Sequence, residues 1–398
     1  MTELRNQIIC LLTHQTQYDP PFWNALLLRG QLEPIVYYSC HRAAMDQDVG
    51  EVVRWRADFA GGIASELASV PEALERHRTR CAAVLVPGWT KTPTWRAFAW
   101  CQSRRIPVIL PSDKTLNEPG PRGAARWVDW MFHTARSGLF DAFFTTGTLG
   151  IQALRSLGIP RERIAAGLYP IDLKWWRHEA ESATTRGQAF RATLGGDKVF
   201  LAVCELNQPE NPRLIVEAFD MVARSMPGAR LVMAGSGLEG EVADAVAKRG
   251  LASRVKLVGW VPYENLAQYY VAADVFVHAP MREPWGGSVS EAMACGLTVA
   301  ATTTVGCAAD LVIPGRTGAL AWPNDPTSLA EAMRASAALT DQPGAQAAIA
   351  GAVARVDVDA AAMNLEELVQ GLSKEARWTA WPTRLKSEAH NIYGKWPL

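Results

Sequence analysis

The sequence has no excess of charge of either sign: Lys plus Arg and Asp plus Glu both number 40 in 398 residues. No overall field therefore draws the chain to nucleic acid. Its apolar runs are short, and none approaches the roughly 18 residues that a membrane span requires. No basic segment followed by a long apolar run and a small-residue cleavage site opens the chain, so no signal peptide is expected. The cysteines, Cys10, Cys40, Cys81, Cys101, Cys204, Cys295 and Cys307, include no close pair and are odd in number. They read as small core residues in a reducing cytoplasm. No Gly-x-Gly-x-x-Gly opens the first helix, which argues against a dinucleotide dehydrogenase.

What the sequence does have is apolar punctuation. At 48% hydrophobic residues and with 31 glycines, the composition suits a packed α/β protein, and the length favours two domains. Short apolar runs at Ile8–Leu12, Ile35–Ser39, Ala82–Pro87, Pro107–Pro111, Asp141–Thr146 and Ile164–Leu168 alternate with helix-length segments. The pattern repeats at Val199–Cys204, Arg230–Gly235, Val255–Trp260, Asp274–Ala279, Leu297–Thr302 and Gly318–Trp322. Strands alternating with helices predict parallel, doubly wound sheets, hence two Rossmann-like domains facing across a cleft. The expected divisions are an amino-terminal domain over 1–170, a linker over the polar stretch 171–197, and a second domain over 198–375. The basic, aromatic tail 376–398 belongs with the first domain in this scheme.

The stretch HAPMREPWGGSVSEAMACGLTVAATTTVGCAADLV, residues 278–312, carries the most chemistry. Glu283 and Glu291 stand eight positions apart, with Pro284, Trp285, Gly286 and Gly287 following the first. A strand runs in before Glu283, and a short helix, expected over Ser288–Cys295, carries Glu291. Glycines at a helix start leave the first-turn amides free to face an anion, so phosphate belongs at Gly286, Gly287 and Ser288. A carboxylate on either side can accept from hydroxyls. An anion hole flanked by two hydroxyl acceptors describes a nucleotide sugar.

These residues resemble the retaining glycosyltransferases of the GT-B fold, family 4, also called glycosyl transferases group 1. The resemblance lies in Glu283-Pro284-Trp285-Gly286, in Glu291-Ala292-Met293-Ala294-Cys295-Gly296, and in the turn Thr304-Val305-Gly306 before Asp310-Leu311-Val312. It implies two facing Rossmann-like domains with a carboxyl-terminal helix crossing back to the first. It also implies transfer of a sugar from a nucleotide diphosphate sugar to a hydroxyl of a glycan or lipid-linked acceptor, with retained configuration and no metal or other cofactor. Surface polysaccharide or glycoconjugate synthesis in bacteria is the setting it implies, in the cytoplasm or peripherally on the inner face of the membrane. Glu283 would hold the transferred sugar and Glu291 the ribose. Gly235 and Gly237, after a strand, and Trp260 and Val261, after the next, would border the nucleotide. By their place in loops after strands of the first domain, Asp113 and Lys91 would hold acceptor hydroxyls or a phosphate, and His14, Gln17 and Tyr18 are candidates for the cleft wall. The tryptophan-bearing stretches 94–105 and 121–136 would face the core or an anionic membrane.

One departure stands out. Where relatives carry an Arg and, five positions on, a Lys that neutralise the donor diphosphate, this chain has Glu205 and Glu210. A carboxylate about 5 Å from a phosphate charge adds roughly 3 kcal/mol of repulsion at an effective dielectric near 20. Arg213, three positions beyond Glu210, and Arg282, Lys91 or Lys114 from the other wall are the expected compensating cations. The alternative is a non-catalytic glycan- or nucleotide-binding protein on the same scaffold; an epimerase of this fold finds no residue argument.

Overall fold

A computed structural model of the chain describes residues 6–12, 16–38, 70–88, 91–115 and 138–374. The first half contains β1 (Gln7–Leu12), α1 (Asp19–Arg29), β2 (Glu33–Tyr38), α2 (Val70–Arg76), β3 (Cys81–Leu85), α3 (Thr92–Arg104), β4 (Val108–Ser112), β5 (Ala142–Thr145), α4 (Thr148–Ser156) and β6 (Ile164–Ala166). All six strands are parallel in the order β2-β1-β3-β4-β5-β6. The second half opens with α5 (Leu173–Leu194), β7 (Lys198–Val203), α6 (Pro212–Ser225), β8 (Ala229–Ala234), α7 (Glu239–Lys248) and β9 (Val255–Gly259). It continues through α8 (Ala267–Ala272), β10 (Val275–His278), α9 (Gly287–Ala294), β11 (Thr298–Thr302), α10 (Ala308–Leu311) and β12 (Gly318–Ala321). It ends with α11 (Pro326–Leu339), α12 (Ala345–Val353) and α13 (Val358–Lys374). Its strands are also parallel, in the order β12-β11-β10-β7-β8-β9. This is the GT-B architecture.

Runs such as VFLAV in β7 and VFVH in β10 are apolar on both faces because helices cover both faces of each sheet, as parallel sheets require. Each strand lies within two residues of its expected position. Helix α6 shows the matching logic: Pro212 at its start fixes φ where no hydrogen bond is lost, and Leu214, Ile215, Ala218, Phe219 and Val222 bury one stripe.

The chain departs from expectation at both crossings between the sheets. Residues 173–194, expected as linker, form a 22-residue helix capped by the Asp172 carboxylate, which accepts from the Trp175 amide at 2.9 Å. Its buried positions past the first turn, Ala183 and Gly187, are small, so its apolar stripe is faint in the sequence. Smallness is required there: a Cβ on Gly187 would lie 2.2 Å from Val271 and 2.9 Å from the Gln268 carbonyl. The returning helix is α13, within 198–375, whose Val358, Ala361, Ala362, Leu365, Leu368 and Val369 pack into the core of the first sheet beside Phe22, Trp23 and Leu26. The expected crossing tail, 376–398, lies outside the described residues, as do 121–136 and His14.

The two crossings are tied together. The Asp357 carboxylate accepts from the amides of Leu173 (3.2 Å) and Val358 (2.9 Å), and Ile171 pairs with Asp357 as a parallel bridge. A second tie spans the sheets at the start of α4, where the Asp310 carboxylate accepts from the Thr148 amide at 2.9 Å and its hydroxyl at 2.6 Å. The tie needs the adjacent glycine, since a Cβ on Gly147 would lie 2.1 Å from Asp310 Oδ2. In α3, Trp95 and Phe98 pack against the core of the first sheet, which is the core-facing alternative for that stretch.

If α13 anchors the second half to the first, Leu365→Ala, which empties a fully buried position, lowers stability by about 2–5 kcal/mol in urea denaturation. A loss under about 1 kcal/mol would show that this helix is not anchored there.

Candidate active site

The site is built on α9. Gly286 has φ 96°, a left-handed conformation, and precedes the first turn of the helix. Its carbonyl accepts from the Val289 amide at 3.1 Å, so the turn begins at once, with Gly287 and Ser288 half-buried at its tip. The helix begins one residue earlier than expected and ends at Ala294.

The loop before the tip is held by the small-residue turn after β11. The Gly306 amide donates to the Glu283 carbonyl at 2.9 Å and the Cys307 amide to the Trp285 carbonyl at 2.7 Å. Only glycine fits at 306, because a Cβ there would lie 1.9 Å from the Pro284 carbonyl oxygen. Trp285 is buried beneath. The motif Thr304-Val305-Gly306 therefore fixes the main chain that presents Glu283.

The two carboxylates differ in surroundings. Glu291, 4% exposed, accepts from the Tyr270 hydroxyl at 2.9 Å. Burial pushes its carboxyl up to about 7, against the opposing effect of the Tyr270 hydrogen bond. Glu283 is half-buried, and its Oε1 accepts from the Trp285 amide at 3.0 Å. Burial raises its carboxyl, but the His278 imidazole and the Trp285 and Gly286 amides more than offset this and hold it below the usual range. At pH 7 Glu291 is poised between its neutral and ionised forms, and Glu283 is ionised.

The first sheet closes over this tip. The Tyr18 hydroxyl lies so near Gly287 that a Cβ on the glycine would be 2.1 Å from it. Burial and the carboxylates of Glu291 and Glu283 push the Tyr18 phenol far up. Tyr18 also lines a recess of about 400 Å³ at the carboxyl ends of the first sheet's strands, together with Tyr169, Asp19, Asp113 and Lys114. Asp113 thus stands in the first sheet's wall, where Tyr169 feels its charge.

The other expected residues fall into place unevenly. A Cβ on Gly235 would lie 1.8 Å from the Cys204 carbonyl oxygen, and one on Gly237 2.9 Å from that of Leu206. These glycines admit the backbone of the β7 loop, which the Leu206 amide fastens to the Ser236 carbonyl at 2.7 Å. Trp260 and Val261 are half-buried just past β9. Arg282 is exposed. Arg213 is exposed too, in a second recess with Asn207, Asn211, Leu238 and Met281. Burial raises the Glu210 carboxyl, and the group that opposes this rise is the His278 imidazole. His278 and Tyr270 escaped the sequence reading: one is the last residue of an apolar strand and the other lies on a six-residue helix, with no motif to mark either.

No helix among the described residues is long and apolar enough to cross a membrane, and no three His, Cys, Asp or Glu side chains among them are grouped to hold a metal ion.

Residues 188–352 match the family model described as "Glycosyl transferases group 1". Among curated proteins, the chain is 40% identical over 120 residues to the lipopolysaccharide core biosynthesis mannosyltransferase LpsB of Rhizobium meliloti, covering 29% of this chain and 32% of that protein. It is 32% identical over 224 residues to D-inositol 3-phosphate glycosyltransferase of Thermobispora bispora, covering 52% of this chain and 50% of the relative. The chain thus spans about half the length of the latter and a third of the former. Among solved structures, Anabaena Alr3699/HepE in complex with UDP and glucose superposes with a TM-score of 0.64 at 15% identity, over 92% of this chain and 99% of that one.

Because Glu291 has a folded-state value near 7 and an ordinary value of 4.5, it is protonated in both states at low pH and ionises first in the unfolded chain. The stability it contributes is complete below about pH 4.5 and lost as pH rises to 7, by about 3 kcal/mol. Denaturation from pH 4.5 to 8 should show this loss in the wild type and not in Glu291→Gln; parallel profiles would contradict the assignment.

Proposed function

We propose that this chain, whose residues 188–352 match the group 1 glycosyl transferases, moves a sugar from a nucleotide diphosphate sugar to a hydroxyl of a glycan or lipid-linked acceptor, with the anomeric configuration retained. The observation that carries the proposal is the tip of α9: a glycine-started helix with a buried carboxylate, Glu291, one turn in and an ionised one, Glu283, just before it. The tip amides take the diphosphate and stabilise the charge that develops on it as the sugar leaves. Glu291 accepts from the ribose hydroxyls, and Glu283 orients the transferred sugar. The recess at the first sheet, with Asp113 and Lys114 at its wall, holds the acceptor. Tyr18 stands where the two subsites meet.

The names of the two relatives, a mannosyltransferase of lipopolysaccharide core biosynthesis and a D-inositol 3-phosphate glycosyltransferase, support a hydroxyl acceptor. The second reading, a binding protein without turnover, draws on Glu205 and Glu210, whose negative charge opposes a diphosphate. Release of sugar from a bound donor, to acceptor or to water, separates the two.

Nucleotide affinity should fall about 10- to 100-fold in Glu291→Ala, the equivalent of about 1.5–3 kcal/mol for a lost charge-assisted hydrogen bond. It should be unchanged in Arg213→Ala, whose side chain occupies the other recess. Calorimetric titration with UDP and GDP measures both, and the reverse pattern would place the diphosphate away from α9.

A further inference from the structure

We infer that Tyr18, which the first half of the chain sends across the cleft, is itself a ligand of the diphosphate: its hydroxyl donates to a phosphate oxygen seated on the first turn of α9, so the anion is clasped from both sides. The inference rests on the donor site proposed above and adds to it a binding residue from the opposite wall.

The direction of Tyr18 is set by the chain around it. The residue stands just before α1, and the Asp19 carboxylate accepts from the Thr16 amide at 2.7 Å, closing the turn that presents it. Pro20 and Pro21 follow and restrict φ at the start of the helix, whose Phe22 and Trp23 are buried in the core of the first sheet. The Tyr169 ring meets the Tyr18 ring edge-on, with 6.0 Å between centroids. Tyr18 thus reaches α9 oxygen first. A Cβ on Gly287 would lie 2.1 Å from the hydroxyl oxygen, 3.0 Å from Cζ and 3.5 Å from Cε1. The turn it meets has no side-chain cap of its own.

The chemistry of the contact follows. Amides of the first turn can serve one side of a phosphate, and oxygens on the far side need donors from the opposite wall. Burial and the charges of Glu291 and Glu283 keep the proton on the Tyr18 phenol, so the hydroxyl is neutral through the neutral range. The opposing influence is a hydrogen bond with the Gln17 side chain. A bond that favours the phenolate is one received at its oxygen, which leaves the hydroxyl hydrogen for another acceptor. A lysine or arginine in this place would be drawn to the same two carboxylates. A phenol carries no charge for them to capture, and a hydrogen bond to an ionised phosphate is about twice as strong as one between neutral groups.

Calorimetric titration of the full chain with UDP, GDP, uridine and guanosine compares the wild type with Tyr18→Phe, which keeps the ring and removes only the hydroxyl. For whichever base binds, the diphosphate should bind the variant about tenfold or more weakly, and the nucleoside should change by less than about twofold. Equal or tighter binding of the diphosphate by a folded Tyr18→Phe protein would mean that the hydroxyl blocks the tip and does not serve it, and overturns the inference. Equal losses for diphosphate and nucleoside overturn it as well, because the effect then has nothing to do with phosphate. Both results leave the donor site standing. Should Tyr18→Phe fail to fold, or the nucleosides bind too weakly to titrate, a crystal structure of the wild type with UDP or GDP decides. The Tyr18 oxygen is expected within about 3 Å of a phosphate oxygen, and phosphates on α9 out of its reach overturn the inference alone. If neither UDP nor GDP binds the wild type, the inference and the donor site fall together.

Discussion

The bare first turn of α9 is the feature on which the rest of the site depends. A helix start with a glycine in the left-handed region has neither a side-chain cap nor a Cβ to cover its amides, so its positive end stays available to an anion. That availability is maintained by structure on three sides. The turn at Thr304–Cys307 clamps the main chain of Glu283 and Trp285, and Trp285 fills the space beneath. From across the cleft, Tyr18 limits position 287 to glycine.

Contacts between the two sheets hold this tip against the recess of the first sheet. Asp357 pins the two chain crossings to each other, α13 buries its apolar stripe in the first sheet's core, and Asp310 joins the start of α4. A cleft fastened at both crossings can present Tyr18, Asp113 and the carboxylates of the second sheet to one reacting centre. The difference between the carboxylates has the same origin. Glu291 is walled in by Tyr270 and the helix core and loses its charge easily, while Glu283 keeps backbone amides and an imidazole beside it and stays ionised.

The architecture and the core of the site are visible in the residues alone because they depend on short-range rules. Apolar runs bounded by polar turns mark all twelve strands, and Glu283, Gly286, Gly287 and Glu291 occur at a spacing that a loop and one helical turn translate directly into geometry. What stays hidden depends on distant contact. Helix α5 looks like a linker because Ala183 and Gly187, the residues that let it approach α8, are too small to register as an apolar stripe. Tyr270 and His278 look like core residues until the fold sets them against Glu291 and Glu283. Arg213 looks like a compensating cation by its helical offset from Glu210, but α6 starts between the two at Pro212 and carries Arg213 outward, and the His278 imidazole is the group beside Glu210.

The central claim is that the amides of Gly287 and Ser288, next to the Gly286 amide held by Glu283, receive the diphosphate of a nucleotide sugar. A crystal structure of the chain with bound UDP or GDP tests it most directly. The account predicts phosphate oxygens within hydrogen-bonding distance, about 3 Å, of those amides and ribose hydroxyls on Glu291. Phosphates bound elsewhere, with the first turn of α9 untouched, would contradict it.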